Sequence, residues 1–484
     1  MNYDIKSIFK HTSIYSVGSL LSKAIGFFMI PLYTHYLNPQ DYGILDLLTV
    51  LVVLTGIIIQ GGISAAIFKF YNTFEKEDDR KQVISTVLIF LVLISLTAVF
   101  ILSAFADKIS ILLTNSKDYG YYVMLMLTSF FFSSVAAVPE TFLLAQKRSM
   151  LFTAISLGTL VLDLSMNIYM VAIAKLGILG ILYGSIIVRF LNTTFLLSIT
   201  IPKVRFSLNI NKLKDILRFS IPLIPAQLAL FVFAYSDRIF LSHLSDLKSV
   251  GLYSLGFKFP FMISLLMIQP FMQIWQQEMY EVKKRADALE IFGSVYTYLV
   301  AAILIVGAIM TIFIKDVIAI MASSEYWEAW KVVPIIAFAY VFRATSLYFQ
   351  MGMLFRNKTS YLSYSTMVGA IVVVILNYLL VPTYKELGAA LSVLGSYTVL
   401  AVLYFWVSQK LYKIKIEIIR LLKLLLILGM ILVFYLSVNI DSRALSIGFR
   451  LTSIPVILLG MYFGGFFNYI ERNKIRKLAL SRFQ

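Results

Sequence analysis

Leu37-Asn38-Pro39-Gln40-Asp41-Tyr42-Gly43 parts an apolar run near 12–34 from another near 42–68. The seven residues carry turn punctuation, an Asn-Pro pair followed by an acid. Each flanking run has the roughly 20 apolar residues needed to cross a hydrocarbon core of about 30 Å. Outward from this junction the same unit recurs. Further spans are expected near 83–105, 120–145, 152–174, 177–200, 219–241, 251–274, 291–314, 332–355, 361–381, 387–409, 418–438 and 446–468, fourteen in all. Other turns fall at Asn115-Ser116-Lys117-Asp118, Ser323-Ser324-Glu325 and Asn439-Ile440-Asp441-Ser442. Trp275, Trp327, Trp330 and Trp406 lie near span ends, where amphipathic rings favour the interface. The fold class is therefore an all-α polytopic membrane protein.

Composition agrees. The 484 residues are 60% hydrophobic and 14% charged, with a mean hydropathy of +0.86. The formal charge of +17 could suggest nucleic acid. The basic residues sit in short loops beside spans, so lipid headgroups and the orientation rule account for them, and no nucleic acid is expected. No cysteine is present, which excludes disulfide and thiol chemistry. The first apolar run has no small-residue cleavage site and reads as a retained helix.

Of the 42 Lys and Arg, five lie inside spans, 28 in one set of alternate loops and nine in the other. The richer set includes Lys69 to Lys81, Lys203 to Arg218, Lys410 to Lys423 and Arg472 to Arg482. This bias is expected to place those loops and both termini on the cytoplasmic side.

The chain also repeats itself. Gln146-Lys147-Arg148 corresponds to Arg356-Asn357-Lys358 at a shift of 210, as does Asn167 to Asn377. Tyr42-Gly43-Ile44-Leu45 corresponds to Val250-Gly251-Leu252-Tyr253 at a shift of 208. Six spans per half give both copies one orientation, related by an axis along the membrane normal. The expected divisions are 1–208, 209–412 and a remainder, 413–484, with two extra spans and a basic tail.

These features resemble the polysaccharide flippases of the multidrug/oligosaccharidyl-lipid/polysaccharide exporter superfamily. The resemblance rests on the basic N-terminus, Pro31-Leu32-Tyr33-Thr34, the 37–43 junction and the 6+6+2 layout. It implies a MATE-like fold. It also implies movement of polyprenyl-pyrophosphate-linked oligosaccharide between leaflets by alternating access, with spans 1, 2, 7 and 8 lining the cleft. The partners implied are that lipid-linked glycan, the bilayer, and a glycan polymerase and glycosyltransferases of the same pathway. Cation-coupled drug exporters and peptidoglycan lipid-precursor flippases belong to the same superfamily and remain the alternatives.

The intramembrane charges bear on that choice. Lys23, Arg189, Arg238, Lys258 and Arg343 are basic, against the acids Asp46, Glu140, Asp163 and Asp237. A cation in hydrocarbon costs roughly 2.5–3.5 kcal/mol on insertion scales, so each needs a reason to be there. Pyrophosphate calls for charge-assisted donors, Lys as a point charge and Arg as a fork. Lys23, Arg238, Lys258 and Arg343 are the candidate headgroup ligands. Snorkelling competes for Arg238 and Lys258, and a hydrogen bond to Asn or Ser for Arg343. Asp46 and Asp237 are candidate H+ or Na+ coupling sites, although Asp46 also suits capping span 2. Asp163 and Arg189 suit a structural ion pair. Gly61-Gly62, Pro222, Pro225, Pro260, Pro270 and Pro334 are candidate bends or static kinks. Tyr15, Tyr33, Tyr36, Tyr235, Tyr253 and Gln227 are candidate sugar contacts, or packing or interfacial residues. Enzyme readings have little support. His11, His35 and His243 are scattered, no metal-ligand spacing, nucleophile elbow or phosphate loop occurs, and no cofactor is expected. A membrane glycan polymerase would usually carry a large outer loop, and none is expected here.

Overall fold

The computed structural model describes residues 26–204, 207–438, 440, 443–469 and 471–473. Helices are the only regular elements among them. Hydrocarbon offers no hydrogen-bond partner, so each span must satisfy its backbone within itself.

Among the described residues, twelve helices are long and apolar enough to cross a membrane. They are span 2 (Pro39–Thr73), span 3 (Glu77–Ala104), span 4 (Gly120–Ala145), span 5 (Ser149–Ile173), span 6 (Gly177–Lys203) and span 7 (Ile210–Leu244). Then come span 8 (Leu247–Val282), span 9 (Ala288–Met321), span 10 (Ser324–Phe355), the segment Ser360–Leu411, span 13 (Ile418–Ser437) and span 14 (Leu445–Phe463). Ser360–Leu411 is interrupted at Lys385, with φ 48° and ψ −127°, and holds expected spans 11 and 12. The expected loop there is only a sharp break. Of span 1, the described residues include the end, Ile30–Tyr36.

The bend candidates separate into types. Span 2 is broken at Gly61-Gly62, with Gly62 at φ 78°. Span 7 tightens to a 3-10 turn over Ile221–Leu223, around Pro222. Span 8 widens to a π turn at Ser264–Ile268 just before Pro270, while Pro260 sits inside regular helix. Pro334 opens the α-helical part of span 10 after the 3-10 stretch Ser324–Val332.

The repeat is visible in the backbone. Span 4 ends with Lys147 at φ 57°, Lys147 N–H bonding the Leu144 carbonyl and Arg148 N–H bonding the Leu143 carbonyl. Span 10 ends with Asn357 at φ 54°, Asn357 N–H bonding Leu354 and Lys358 N–H bonding Met353. This is the same left-handed helix stop 210 residues on. Lys175 and Lys385, also 210 apart, share positive φ.

Packing divides the molecule into two compact units, one ending at Ser254 and the other starting at Leu255. In the first, Ile44, Leu48, Leu51, Val123, Leu127, Val171, Ile178 and Leu182 knit spans 2, 4, 5 and 6 together. A second cluster in this unit joins Ile63, Ile67, Val87, Leu91, Val135, Phe142 and Ile216. The second unit is centred on packed rings, some stacked and some edge to face. Trp275 lies 5.5 Å from Tyr348 and 5.8 Å from Phe292, and Phe355 lies 5.2 Å from Tyr412. Outward-facing side chains such as Phe100 and Ile419 are exposed and apolar, as a lipid-facing surface requires.

Within the first unit, the starts of spans 2 and 8 meet at a pair of repeat-equivalent glycines. A Cβ on Gly251 would overlap the Pro39 carbonyl, and one on Gly43 would overlap that of Leu247. Gly251→Ala is therefore expected to cost about 1–3 kcal/mol. Gly158→Ala, whose added methyl meets nothing within 4 Å, is expected to be neutral or slightly stabilising. Thermal midpoints from size-exclusion of the detergent-solubilised variants test the pair.

Candidate functional site

The glycine contact lets three helices approach closely, and a polar network fills the space one turn further along. Arg238, on span 7, is its centre, with 6% of its side chain exposed. Its Nε donates to Asp46 Oδ2 of span 2 at 3.0 Å. Its Nη1 donates to Asp237 Oδ1 at 2.8 Å, to Asp237 Oδ2 at 2.9 Å and to the Ala234 carbonyl at 2.8 Å. Ser254 Oγ of span 8 donates to Asp46 Oδ2 at 2.7 Å. The Tyr253 hydroxyl donates to Asp237 Oδ2. The rings of Tyr235 and Tyr253 lie 5.6 and 5.2 Å from the guanidinium carbon. In low dielectric such contacts are far stronger than in water, and the guanidinium is held by charge, fork geometry and ring faces together. With all groups ionised, two carboxylates share one cation.

The sequence assigned these three ionisable residues to two separate tasks, Arg238 to phosphate and Asp46 and Asp237 to ion coupling. The structure brings them into one cluster. Asp46 is the more open acid, 23% exposed against 1% for Asp237. Ser254 was not singled out from sequence. The signal existed, since the shift of 208 that relates Gly43 to Gly251 carries Asp46 onto Ser254. Here a residue and its copy in the repeat touch each other.

Asp163 and Arg189 form the expected ion pair, Arg189 Nη2 to Asp163 Oδ2 at 3.3 Å. Arg189 is 38% exposed along its side chain, so the pair is open on one flank. Asn167 Nδ2 donates to the Asp163 carbonyl at 2.7 Å and its Oδ1 accepts from the Tyr33 hydroxyl at 2.9 Å. Thr159 donates to Asn192 Oδ1 at 3.0 Å, and Glu140 pairs with the Asn192 side chain. Tyr33 thus ties the end of span 1 to span 5.

Arg343 has different company. On span 10 in the second unit, its guanidinium carbon lies 5.2 Å from the Tyr397 ring. Among the described residues its electrostatic neighbours are the phenols of Tyr397, Tyr340 and Tyr404, with no carboxylate. The Tyr404 hydroxyl shares a 3.0 Å hydrogen bond with Thr366 Oγ1. Arg343 is hydrogen-bonded to the Tyr397 side chain, where the sequence had offered Asn or Ser as its partner. Tyr397 and Tyr404, seven residues apart on one helical face, carried no sequence signal distinguishing them from packing residues. Lys258 lies half-buried on span 8 in the second unit. Lys23 and Tyr15 lie outside the described residues.

Residues 34–291 match the polysaccharide biosynthesis protein family. This chain belongs to that family. A Haemophilus influenzae protein of the Lsg locus is 22% identical over 417 residues, which cover 83% of this chain and 98% of that one. The fold of this polysaccharide biosynthesis protein is similar to that of the lipid II flippase MurJ in an inward closed conformation. That likeness has a TM-score of 0.76 and 16% identity over 93% of this chain and 98% of the other. It is also similar to an inward-facing multidrug MATE transporter of the MOP superfamily, at TM-score 0.66 and 14% identity over 80% and 94% of the two chains. A third similar structure is a MOP transporter from Pyrococcus furiosus, at 0.53 and 14% over 83% and 95%, described by the reversed polarity of its binding pocket. The MATE-like fold expected from sequence is thereby established.

Removing Arg238 alone would leave two buried carboxylates together. Arg238→Gln is expected to destabilise the protein by about 3–5 kcal/mol. Adding Asp46→Asn and Asp237→Asn is expected to recover part of that loss. Thermal unfolding of the single and triple variants, read as a coupling energy, checks this.

Proposed function

We propose that this protein flips an anionic, polyprenyl-pyrophosphate-linked oligosaccharide across the cytoplasmic membrane for cell-surface polysaccharide assembly. The observation that carries the reading is Arg343, a half-buried cation whose electrostatic neighbours are phenols rather than carboxylates. A guanidinium in hydrocarbon without a fixed counter-charge favours an anion that comes and goes. Phosphate oxygens match its fork, and neighbouring tyrosine hydroxyls can donate to the same group. Membership of a polysaccharide biosynthesis family supports a glycan as the rest of the cargo.

In this reading Arg343 and Lys258 receive the headgroup, with Lys23 as a further contact. Arg238 is held by Asp46 and Asp237 in the described state, so it serves the headgroup only after that cluster opens. The cluster's second carboxylate gives a coupling H+ or Na+ a place to bind, Asp46 being the more accessible. The Asp163–Arg189 pair holds spans 5 and 6 together. The two halves of the repeat, 1–208 and 209–412, alternate access, and 413–484 lies outside the repeat. The lysine-rich loops face the cytoplasm. The glycan polymerase and glycosyltransferases of the pathway supply and consume the cargo.

The cation-coupled exporter reading would need an acid free to exchange its guanidinium for a drug cation. Asp237 is committed to Arg238 and Tyr253 in this structure.

The deciding experiment is to measure lipid-linked glycans and their sidedness in a deletion strain. Complete repeat units are expected to accumulate on the cytoplasmic leaflet while surface polysaccharide is lost. Unchanged lipid-linked glycans with raised sensitivity to cationic drugs would favour the exporter. In the complemented strain, Arg343→Gln is expected to lower export about 10- to 100-fold at normal protein level, the loss of one charge-assisted phosphate contact. Arg343→Lys should retain part of it. Full export by well-expressed Arg343→Gln would remove that residue from the substrate path.

A further inference from the structure

We propose that spans 2 and 7 bend as a pair about one shared pivot. Span 2 is regular to Gln60 and resumes at Ile63 after Gly61 and Gly62. Span 7 is regular to Ser220, tightens at Ile221–Leu223 and resumes at Ile224. The two breaks lie against each other. A Cβ on Gly62 would stand 2.8 Å from Leu223 Cδ1 and 3.0 Å from the Ser220 carbonyl oxygen, and one on Gly61 would stand 2.6 Å from Ile224 Cγ1. Only glycine gives span 2 both the positive φ and this close approach.

Each side of the pivot is tied separately. Toward the start of span 2, the Asp46–Arg238 bond joins residues 39–60 to residues 224–244. Past the break, Ile63, Ala66 and Ile67 share a core with Ile216, and Lys69 Nζ sits 4.3 Å over the Phe219 ring. There Lys212 Nζ also bonds Asp79 Oδ1 at 2.7 Å, at the start of span 3. All of these contacts belong to the first unit. A helix break is a soft point in an otherwise stiff rod. Had only one of two packed helices been broken, bending would slide one surface past the other. Breaks at one level let both bend with their side-chain contacts kept. The structure therefore assigns two blocks, 39–60 with 224–244 and 63–73 with 210–220, joined at Gly61-Gly62 and Ile221–Leu223. The pivot serves alternating access, and so rests on the flippase reading for its purpose, but its geometry is independent of the cargo.

The chain has no cysteine, so introduced pairs report cleanly. Spin labels at Asn72→Cys and His243→Cys straddle the pivot, and labels at Asn72→Cys and Lys214→Cys lie within one block. In lipid nanodiscs, electron paramagnetic resonance is expected to show a cross-pivot distribution wider by about 5 Å, one helical turn, than the within-block one. Gly62→Ala, and independently Pro222→Ala, should narrow the cross-pivot distribution while gel-filtration profiles stay monodisperse. A cross-pivot distribution as narrow as the within-block one overturns the pivot. So does a folded Pro222→Ala protein whose distribution matches the parent. A moving pivot in a protein whose deletion leaves lipid-linked glycans unchanged would keep the pivot and overturn the flippase reading instead.

Discussion

The absence of water in hydrocarbon is the constraint on which the rest of this structure depends. It forces every backbone polar group into a helix and forbids a charge without a reason. Arg238 meets it with two carboxylates, a backbone carbonyl and two ring faces. Arg189 meets it with an ion pair to Asp163, the charge of Glu140 nearby and an open flank. Arg343 meets it with phenols only, through ring contact and a hydrogen bond to Tyr397. Three arginines at membrane depth thus carry three degrees of neutralisation. The proposed cargo reading rests on the least compensated of the three.

Backbone proximity makes the Arg238 cluster feasible. Carboxylate, guanidinium and hydroxyl must come within about 3 Å, and three helices with ordinary side chains at their crossing would hold them further apart. Gly43 and Gly251 remove those side chains at the crossing. Short-range packing and long-range electrostatics are therefore one arrangement here, and a methyl at either glycine would weaken bonds that it does not touch.

Most of the fold was legible because its governing signal is one-dimensional. Apolar run length and loop charge need no tertiary information, so the spans were found, although several run on by about two turns beyond their expected ends, as span 7 does in starting at Ile210 and not near 219. The exception is instructive. Ser360–Leu411 was expected to contain a loop near 382–386, and the chain instead reverses at a single left-handed residue, Lys385. Nothing in Pro382-Thr383-Tyr384-Lys385-Glu386 marks so abrupt a break, although its repeat partner Lys175 stands beside Gly177, a recognisable stop. The site was legible as a list of charges and not as a set of pairs. Asp46 and Arg238 are 192 residues apart, and polarity alone does not say which charges meet. The repeat held the missing information for Ser254, because residues next to a two-fold axis face their own copies. No such rule pointed to Tyr397 beside Arg343, since aromatic residues at helical spacing serve packing far more often than ion binding.

The Asp46–Ser254 contact has a consequence for how a duplicated chain matures. In two identical copies, whatever stands at this position faces itself. Two carboxylates there would repel, and two hydroxyls would leave the guanidinium of Arg238 to Asp237 alone. An acid in one copy and a hydroxyl in the other give a donor, an acceptor and one net charge. This is a place where the halves cannot remain interchangeable, and a chimera built from two copies of either half would lose the junction that its spans require.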